Sequence, residues 1–450
     1  MSAYVIDSVL FRDQFGTKAM RRVFSDENTV QRWLDVEAAL ARVQGDLGVI
    51  PAEAAQEIVR QARVERISLE ELKAEMDRTS HPIVPLLRAI RKICAGNAGE
   101  YAHWGATTQD IMDTGTVLQI RDALDIIAAE LRAVLDRTLA LAIAGRDQVM
   151  TGRSHGQQAL PITFGYKAAV WAEEIRRDIE RLEEMRKRVL VGQFSGAVGT
   201  LSALGENGIA QQEALFAALG LGCPNIAWHV ARDGYAELAC VLAITIGAAG
   251  KIAHEIYALQ KTEVGELEEP FTPGKVGSST MPHKRNPSTC ETIIALARIV
   301  RSIAPLALEG VMAEHERDKI VLQTEREFLS RLFHLSHAAL QKTRFVLSGL
   351  RLDPDSMSRN LELQRGLLLS EAVMMRLSPI FGRQEAHEIV YRICMDLPRR
   401  GLSLKEALLA EAKISAHLDA AELDRLLDPA AYTGLARFFV DRVTNAAASA

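Results

Sequence analysis

Cysteine is scarce and scattered. Cys94, Cys223, Cys240, Cys290 and Cys394 contain no C-x-x-C pair, and their odd number cannot be fully paired. A disulfide framework or a structural zinc site is therefore not expected, and a reducing cytoplasm is the natural compartment. Glycine and proline are also sparse, 30 and 14 in 450 residues, which disfavours a turn-rich all-β chain and permits long helices. Neither sign of charge dominates. With 53 basic against 58 acidic side chains the net charge is −5, so no basic excess points to nucleic acid as the main partner. The longest uncharged apolar stretch, Leu238 to Gly250, has about 13 residues. That is below the ~18 expected of a membrane span, and it reads as a buried core helix. Asp7, Arg12 and Asp13 precede any apolar run long enough for a secretory leader, so none is expected.

What is present is helical periodicity. Val117, Ile120, Leu124, Ile127, Leu131, Val134 and Leu141 recur by threes and fours, with Thr138 off the pattern. A second seam runs through Ala168, Trp171, Ile175, Ile179, Leu182, Met185 and Val189. A third segment, Tyr235 to Gln260, is apolar on most sides. A fourth is expected to open at Asn286-Pro287, with Asn as N-cap and Pro in the first turn. No strand–helix alternation is visible, and no fixed-period repeat. The expected fold class is all-α, built on a central bundle of long antiparallel helices. Punctuation suggests three domains: residues 1–113 with shorter helices, 114–350 with the long ones, and 351–450, where Pro379, Pro398 and Pro429 shorten the elements again.

Three polar islands interrupt this background: HWGATTQD (His103 to Asp110), TGRSHGQ (Thr151 to Gln157) and PGKVGSSTMPHKRNP (Pro273 to Pro287). Each is expected at an end of a long helix. The helix after the first island should run about 30 residues, or ~45 Å. Islands at opposite ends of such rods cannot meet in one simple bundle, so an obligate oligomer is expected. In the third island Gly274 and Gly277 make a pliable segment. Lys284 and the unsatisfied N–H groups of the following helix would suit a carboxylate or phosphate. The G-x-S-x-G of Gly152 to Gly156 raises a serine hydrolase, but that elbow needs a strand before it, and a helix is expected there. Glu255 and Glu388 follow histidines without completing H-E-x-x-H, so no zinc site is indicated and no metal is assigned.

GSSTMPHKRNP, Gly277 to Pro287, resembles the signature of the fumarase/aspartase superfamily. HWGATTQDIMDTG and GRSHGQ are similar to its other two signature regions, in the same order. The resemblance covers nearly the whole chain. It implies a three-domain all-α subunit, a homotetramer with active sites drawn from three subunits, and reversible elimination across a succinyl group to leave fumarate. It implies no cofactor and no catalytic metal, and a small-molecule dicarboxylate as the partner.

Elimination begins by removing a proton next to a carboxylate, which produces a dianionic aci-carboxylate. The site must gather cations and N–H or O–H donors around it. By resemblance Thr107, Thr108, Lys284 and Asn286 supply them. The resemblance also implies Ser278 as the base, His155 as the acid for the leaving group, and Glu291 as the carboxylate that orients His155. His81 in TSHPIVPLLR, and Arg317 and Arg326 in HERDKIVLQTER, resemble substrate-binding residues of adenylosuccinate lyases. Other segments resemble bacterial 3-carboxy-cis,cis-muconate cycloisomerases: FSDENTVQRWLDVEAALARVQ, the W-H-x-x-R-D of Trp228 to Asp233, and LLDPAAYTGLA. That branch lacks counterparts of His155 and Glu291. The adenylosuccinate lyase pattern is itself incomplete here: no Arg-Tyr pair lies near Phe11-Arg12, Trp228 stands for a glutamine, and Leu322 for a serine. The expectation is a fumarate-releasing lyase for an N-substituted aspartate or related succinyl compound, with a leaving group smaller than a nucleotide. The alternatives are the cycloisomerase and adenylosuccinate lyase itself.

Overall fold

The computed structural model describes residues 4–272 and 274–448; Pro273, the first residue of the third island, lies outside the described residues. The chain is all-α, with 68% of it helical. The named helices are α1 (Asp26–Asp46), α2 (Thr108–Ala144), α3 (Phe164–Val189), α4 (Asp233–Leu259), α5 (Ser288–Glu309) and α6 (Lys319–Ser348). Ser25 caps α1 by accepting the Asn28 N–H at 3.2 Å. On α2 the seam from Val117 to Val134 is buried as the periodicity requires. Thr138 is buried with it, because its hydroxyl donates to the Val134 carbonyl at 2.8 Å and so leaves no polar group unmet. Helix α4 is long and apolar enough to cross a membrane by length and composition, yet 67% of that window is buried inside the fold.

The helices contribute to two compact units. One comprises residues up to Arg132, Arg177–Gly250 and Thr292–Gln341; the other comprises Ala133–Arg176, Lys251–Glu291 and residues from Lys342 onward. In the first, the W-H-x-x-R-D motif forms a buried node. The Arg232 guanidinium lies 4.8 Å from the Trp228 ring and 4.7 Å from the Tyr235 ring, and it pairs with both Asp113 and Glu325. In the second, α7 (Ser370–Phe381) and α8 (Arg383–Arg400) pack around Val373, Leu377, Ile389 and Val390. Both helices run two residues past Pro379 and Pro398 before they end.

Two local expectations are corrected. The second island is not a helix-end break but a β-hairpin, β1 (Val149–Ser154) paired antiparallel with β2 (Gln157–Thr163). A strand therefore does precede Ser154. It turns into another strand rather than a helix, so it does not form the hydrolase elbow. Strands β3 (Leu267–Glu268) and β4 (Arg351–Leu352) form a second short pair. Helix α5 begins at Ser288, and Asn286 does not cap it: its side chain donates instead to the Gly277 carbonyl at 2.7 Å.

Candidate active site

In the first unit, the first island and the start of α6 enclose a cavity of about 320 Å³ with His81, Thr108, Arg317, Lys319 and Arg326 in its walls. Thr107 precedes α2, and the Asp110 carboxylate in the first turn accepts the Thr107 N–H at 2.9 Å, half of a capping box. The Thr107 hydroxyl is left outside the cap and accepts from Arg317 Nη1 at 2.6 Å, while Arg317 Nε donates to Gln109 at 3.2 Å. His81 Nδ1 accepts the Val84 N–H at 3.2 Å, which places the ring proton on Nε2, 3.2 Å from the Thr108 hydroxyl. Burial lowers the His81 pKa, and Lys319, His103 and Arg317 push the same way, so the ring is held neutral. Both threonine hydroxyls thus accept from the protein, which frees their own protons to donate, that of Thr108 in the cavity it lines and that of Thr107 beside Arg317.

Asp110 fixes this corner. Its carboxylate is buried and also accepts the Ser195 N–H at 3.1 Å and the Gly196 N–H at 3.0 Å, with His229 Nε2 at 2.8 Å. His103, in left-handed backbone at φ 63°, is clasped by the fully buried Glu37 through both its N–H (2.9 Å) and its Nδ1 (2.7 Å). Burial works to lower the His103 pKa, but the Glu37 carboxylate outweighs it and the net shift is upward.

In the second unit His155 stands at the tip of the hairpin. Ser154 pairs with Gln157, and the two turn residues His155 and Gly156 both have positive φ, 51° and 77°. This is the signature of a type I′ turn, where Asn and Gly are the usual choices, so an exposed histidine here is strained for no packing reason. Below the tip, Arg153 pairs bidentately with Glu266 at 2.7 and 2.8 Å, and Asn360 donates to the same carboxylate at 2.8 Å.

The third island is a loop tied at its base by one carboxylate. Glu269 accepts the N–H groups of Thr289 (3.1 Å) and Cys290 (2.9 Å) at the start of α5 and pairs with Lys275 at 2.6 Å. Burial works to raise the Glu269 pKa, but Lys275 and those two N–H groups outweigh it and hold it low. The helix N–H groups expected to be open for an anion are therefore already taken. Within the loop, Ser278 Oγ accepts from the N–H groups of Met281 (3.0 Å) and Thr280 (3.3 Å), an arrangement that favours its alkoxide. A Cβ on Gly277 would sit 2.1 Å from the Lys284 carbonyl, so the loop closes on itself only with glycine there. Lys284 and Glu291 are exposed.

Of the residues singled out in the sequence, Thr107, Thr108, His81, Arg317 and Arg326 are brought together in the first unit. Ser278, Lys284 and Asn286 share one loop in the second. The side chains of His155 and Glu291 make no hydrogen bond within this chain, among the described residues. Lys319, Glu37 and Glu269 were missed. Their signal is three-dimensional, a buried or unpaired charge that the one-dimensional pattern does not reveal. Among the described residues no group of three or more His, Cys, Asp or Glu side chains is placed to hold a metal ion.

A family profile described as "Lyase" matches residues 13–301, and one described as "Adenylosuccinate lyase C-terminus" matches residues 366–443. The chain is 44% identical over 443 residues to an N-acetyl-S-(2-succino)cysteine lyase of Dickeya dadantii, covering 98% of this chain and 97% of that one. It is 44% identical over 441 residues to an adenylosuccinate lyase of Methanothermobacter thermautotrophicus, covering 97% and 98%. The crystal structure of a 3-carboxy-cis,cis-muconate lactonizing enzyme from Pseudomonas putida matches with a TM-score of 0.92 at 39% identity, covering 97% and 98%. The chain belongs to the fumarase/aspartase superfamily of lyases.

Proposed function

We propose that the protein releases fumarate from a succinyl compound that carries a nitrogen or sulfur substituent at C2. The supporting observation is the cavity lined by Arg317, Lys319 and Arg326: no carboxylate pairs with any of the three among the described residues, and two threonine hydroxyls are oriented to donate beside them. Such walls suit a dicarboxylate and stabilise the extra charge that develops when it loses a proton. In the proposed step Ser278 takes the proton from C3 and the C–H electron pair passes onto the adjacent carboxylate as an aci-carboxylate. That pair then forms C2=C3 as the C2–heteroatom bond breaks with its electrons on the leaving atom, which His155 protonates. Glu291 orients His155, and Lys284 and Asn286 serve the loop and the substrate carboxylate. The exposed, strained His155 side chain has no hydrogen-bond partner among the described residues of its own chain, which is consistent with a homotetramer whose neighbouring subunits complete each site.

Sulfur is favoured as the leaving atom by the similarity to an N-acetyl-S-(2-succino)cysteine lyase, whereas an N-substituted aspartate is the nitrogen counterpart. The two differ in their need for an acid. An amine cannot leave as an anion, whereas a thiolate, with its conjugate acid near pKa 8.5, leaves without full protonation. Fumarate is followed by ultraviolet absorbance with each substrate class. With an amine leaving group His155→Gln should lower turnover by roughly 10²–10⁴-fold, and with a thioether by far less. The second reading is lactone formation from 3-carboxy-cis,cis-muconate, motivated by the similarity to the Pseudomonas putida enzyme. Efficient lactonisation that His155→Gln leaves unaffected, without fumarate release from any succinyl compound, would replace the first reading with the second.

A further inference from the structure

Glu269 holds one arm of the Ser278 loop. Its partner Lys275 lies on the arm that enters the loop, whereas the arm that leaves it carries Arg285, next to Lys284. Arg285 Nη1 donates to Glu268 Oε1 at 2.9 Å, and the Arg285 carbonyl accepts from Gln260 Nε2 at 3.3 Å. Glu268 is fixed from outside the loop, on β3 opposite Arg351 of β4, whose Nη1 also donates to it at 3.4 Å. Both loop cations lie over one ring, that of Phe271: Lys275 Nζ is 5.8 Å and the Arg285 guanidinium 5.1 Å from its centroid. Two adjacent acids and one aromatic ring thus clasp the two arms, and all of these groups belong to the second unit. What the clasp sets is the turn that carries Ser278. Asn286, which follows Arg285, donates to the Gly277 carbonyl, and Gly277 packs so closely on the Lys284 carbonyl that no side chain fits there. A displaced Arg285 therefore moves the backbone next to Ser278, where the Thr280 and Met281 N–H groups reach its Oγ.

Folding stability does not account for this pair. The Arg285 side chain is 53% and that of Glu268 25% exposed, and ion pairs open to solvent contribute little. Nor is Arg285 a spare cation for a substrate, because Glu268 already compensates its charge, whereas the exposed Lys284 beside it pairs with no carboxylate among the described residues. Resting on the fumarate-releasing reading above, we propose that Arg285 and Glu268 are positioning residues: their ion pair, closed over Phe271, acts through the loop to hold Ser278 and Lys284 in reacting geometry. Glu268 reaches the chemistry only through Arg285. A misplacement of about 1 Å at a reacting group costs up to ~10²-fold in rate, so a contact too weak to matter for folding still matters for turnover.

The test compares full-length Arg285→Gln, Glu268→Gln, their double variant and Arg285→Lys with the unmodified protein. Fumarate release is followed with N-acetyl-S-(2-succino)cysteine and with N-(carboxymethyl)aspartate, and hydrogen exchange is followed at the amides of Thr280 and Met281. Each Gln variant should lower kcat roughly 10- to 100-fold with KM changed by less than about threefold, the pattern of a group misplaced in the transition state. Tm should shift by no more than about 2 °C. The double variant should be no slower than the slower single one, because both remove the same interaction. Arg285→Lys, which keeps a cation for Glu268 and Phe271, should recover most of the rate. Arg351→Gln, which takes from Glu268 its partner outside the loop, should leave kcat unchanged. The two amides should exchange faster in both Gln variants. A slow Arg285→Gln beside a normal Glu268→Gln would make Arg285 a substrate contact and overturn the proposal, as would additive losses in the double variant or a normal kcat in both single ones. No fumarate from either compound with the unmodified protein would remove the elimination and with it the positioning role, while faster exchange in both Gln variants would keep the clasp. Normal exchange and normal kcat in variants of an enzyme that does release fumarate would remove the clasp and keep the elimination.

Discussion

His334 is 5% exposed, its Nδ1 has no hydrogen-bond partner among the described residues, and its ring lies 6.0 Å from that of Phe24. Burial pushes its pKa down to about 4, with Arg21 and His337 adding to the effect. In the unfolded chain a histidine titrates near 6.5. Above that pH the ring is neutral in both states and contributes no pH dependence. Between about 6.5 and 4 the unfolded chain takes up a proton that the folded one refuses, so stability falls as the pH falls. The full loss for this single group is on the order of 3 kcal/mol by pH 4. Thermal unfolding at pH 7.5, 6 and 5 should therefore show a falling Tm, and in His334→Leu the fall should be smaller. Parallel pH profiles for the two proteins would assign the acid sensitivity to other groups. The same residue-scale logic makes His155 conspicuous, because left-handed backbone at a non-glycine residue persists where something other than local stability selects it.

At the scale of elements, the hairpin that carries His155 is held by one buried ion pair. Glu266 is fully buried and Arg153 one-fifth exposed. Removing Arg153 alone leaves a carboxylate in the interior with, among the described residues, the Asn360 side chain to compensate it. Arg153→Met should cost about 3–5 kcal/mol in urea unfolding, and the double variant Arg153→Met/Glu266→Leu should recover part of that because no buried charge remains. Equal losses in both would mean that the pair contributes packing rather than charge compensation. The elements differ in how far the sequence exposes them. Helices α2 and α3 are legible because their apolar residues recur at helical spacing. The first and third islands are legible as polar, glycine-bearing breaks in an apolar helical background, while the roles of Thr107, Thr108 and Ser278 within them, and of Arg317 outside them, come from the family resemblance. The hairpin is not, since β1 and β2 span only six and seven residues and their register shifts between Thr151 and Arg153, which erases strict alternation. Nor is the start of α5: Asn286-Pro287 reads as a cap by type, but Glu269, some twenty residues earlier, takes the helix N–H groups from across the loop.

At the scale of the whole molecule the question is how a complete site forms. Helix α2 has 37 residues, about 55 Å at 1.5 Å per residue, longer than the ~45 Å expected from the sequence because it already begins at Thr108 inside the first island. The first island stands at its start and the hairpin of His155 follows its end. One chain presents Thr107 and Thr108 with the cationic cavity, and, on other segments, Ser278 on its loop and His155 on its turn, with His155 free of any hydrogen bond from the described residues. If the reacting groups come from different copies, inactivating variants at different positions complement one another. With an amine leaving group, Ser278→Ala and His155→Ala are each expected to reduce turnover in a homo-oligomer to a small residue. Mixed by co-expression, or by denaturing and refolding together, they form hybrids in which some sites receive an intact Ser278 from one copy and an intact His155 from another. In a tetramer with random mixing, about one site in four carries both intact groups if each site draws them from two different subunits. Fumarate release near that fraction of the unmodified rate, from the randomly mixed tetramers, is the expected outcome. Hybrids that stay inactive would place Ser278 and His155 of a given site on the same subunit, because then every site lacks one of the two however the subunits mix.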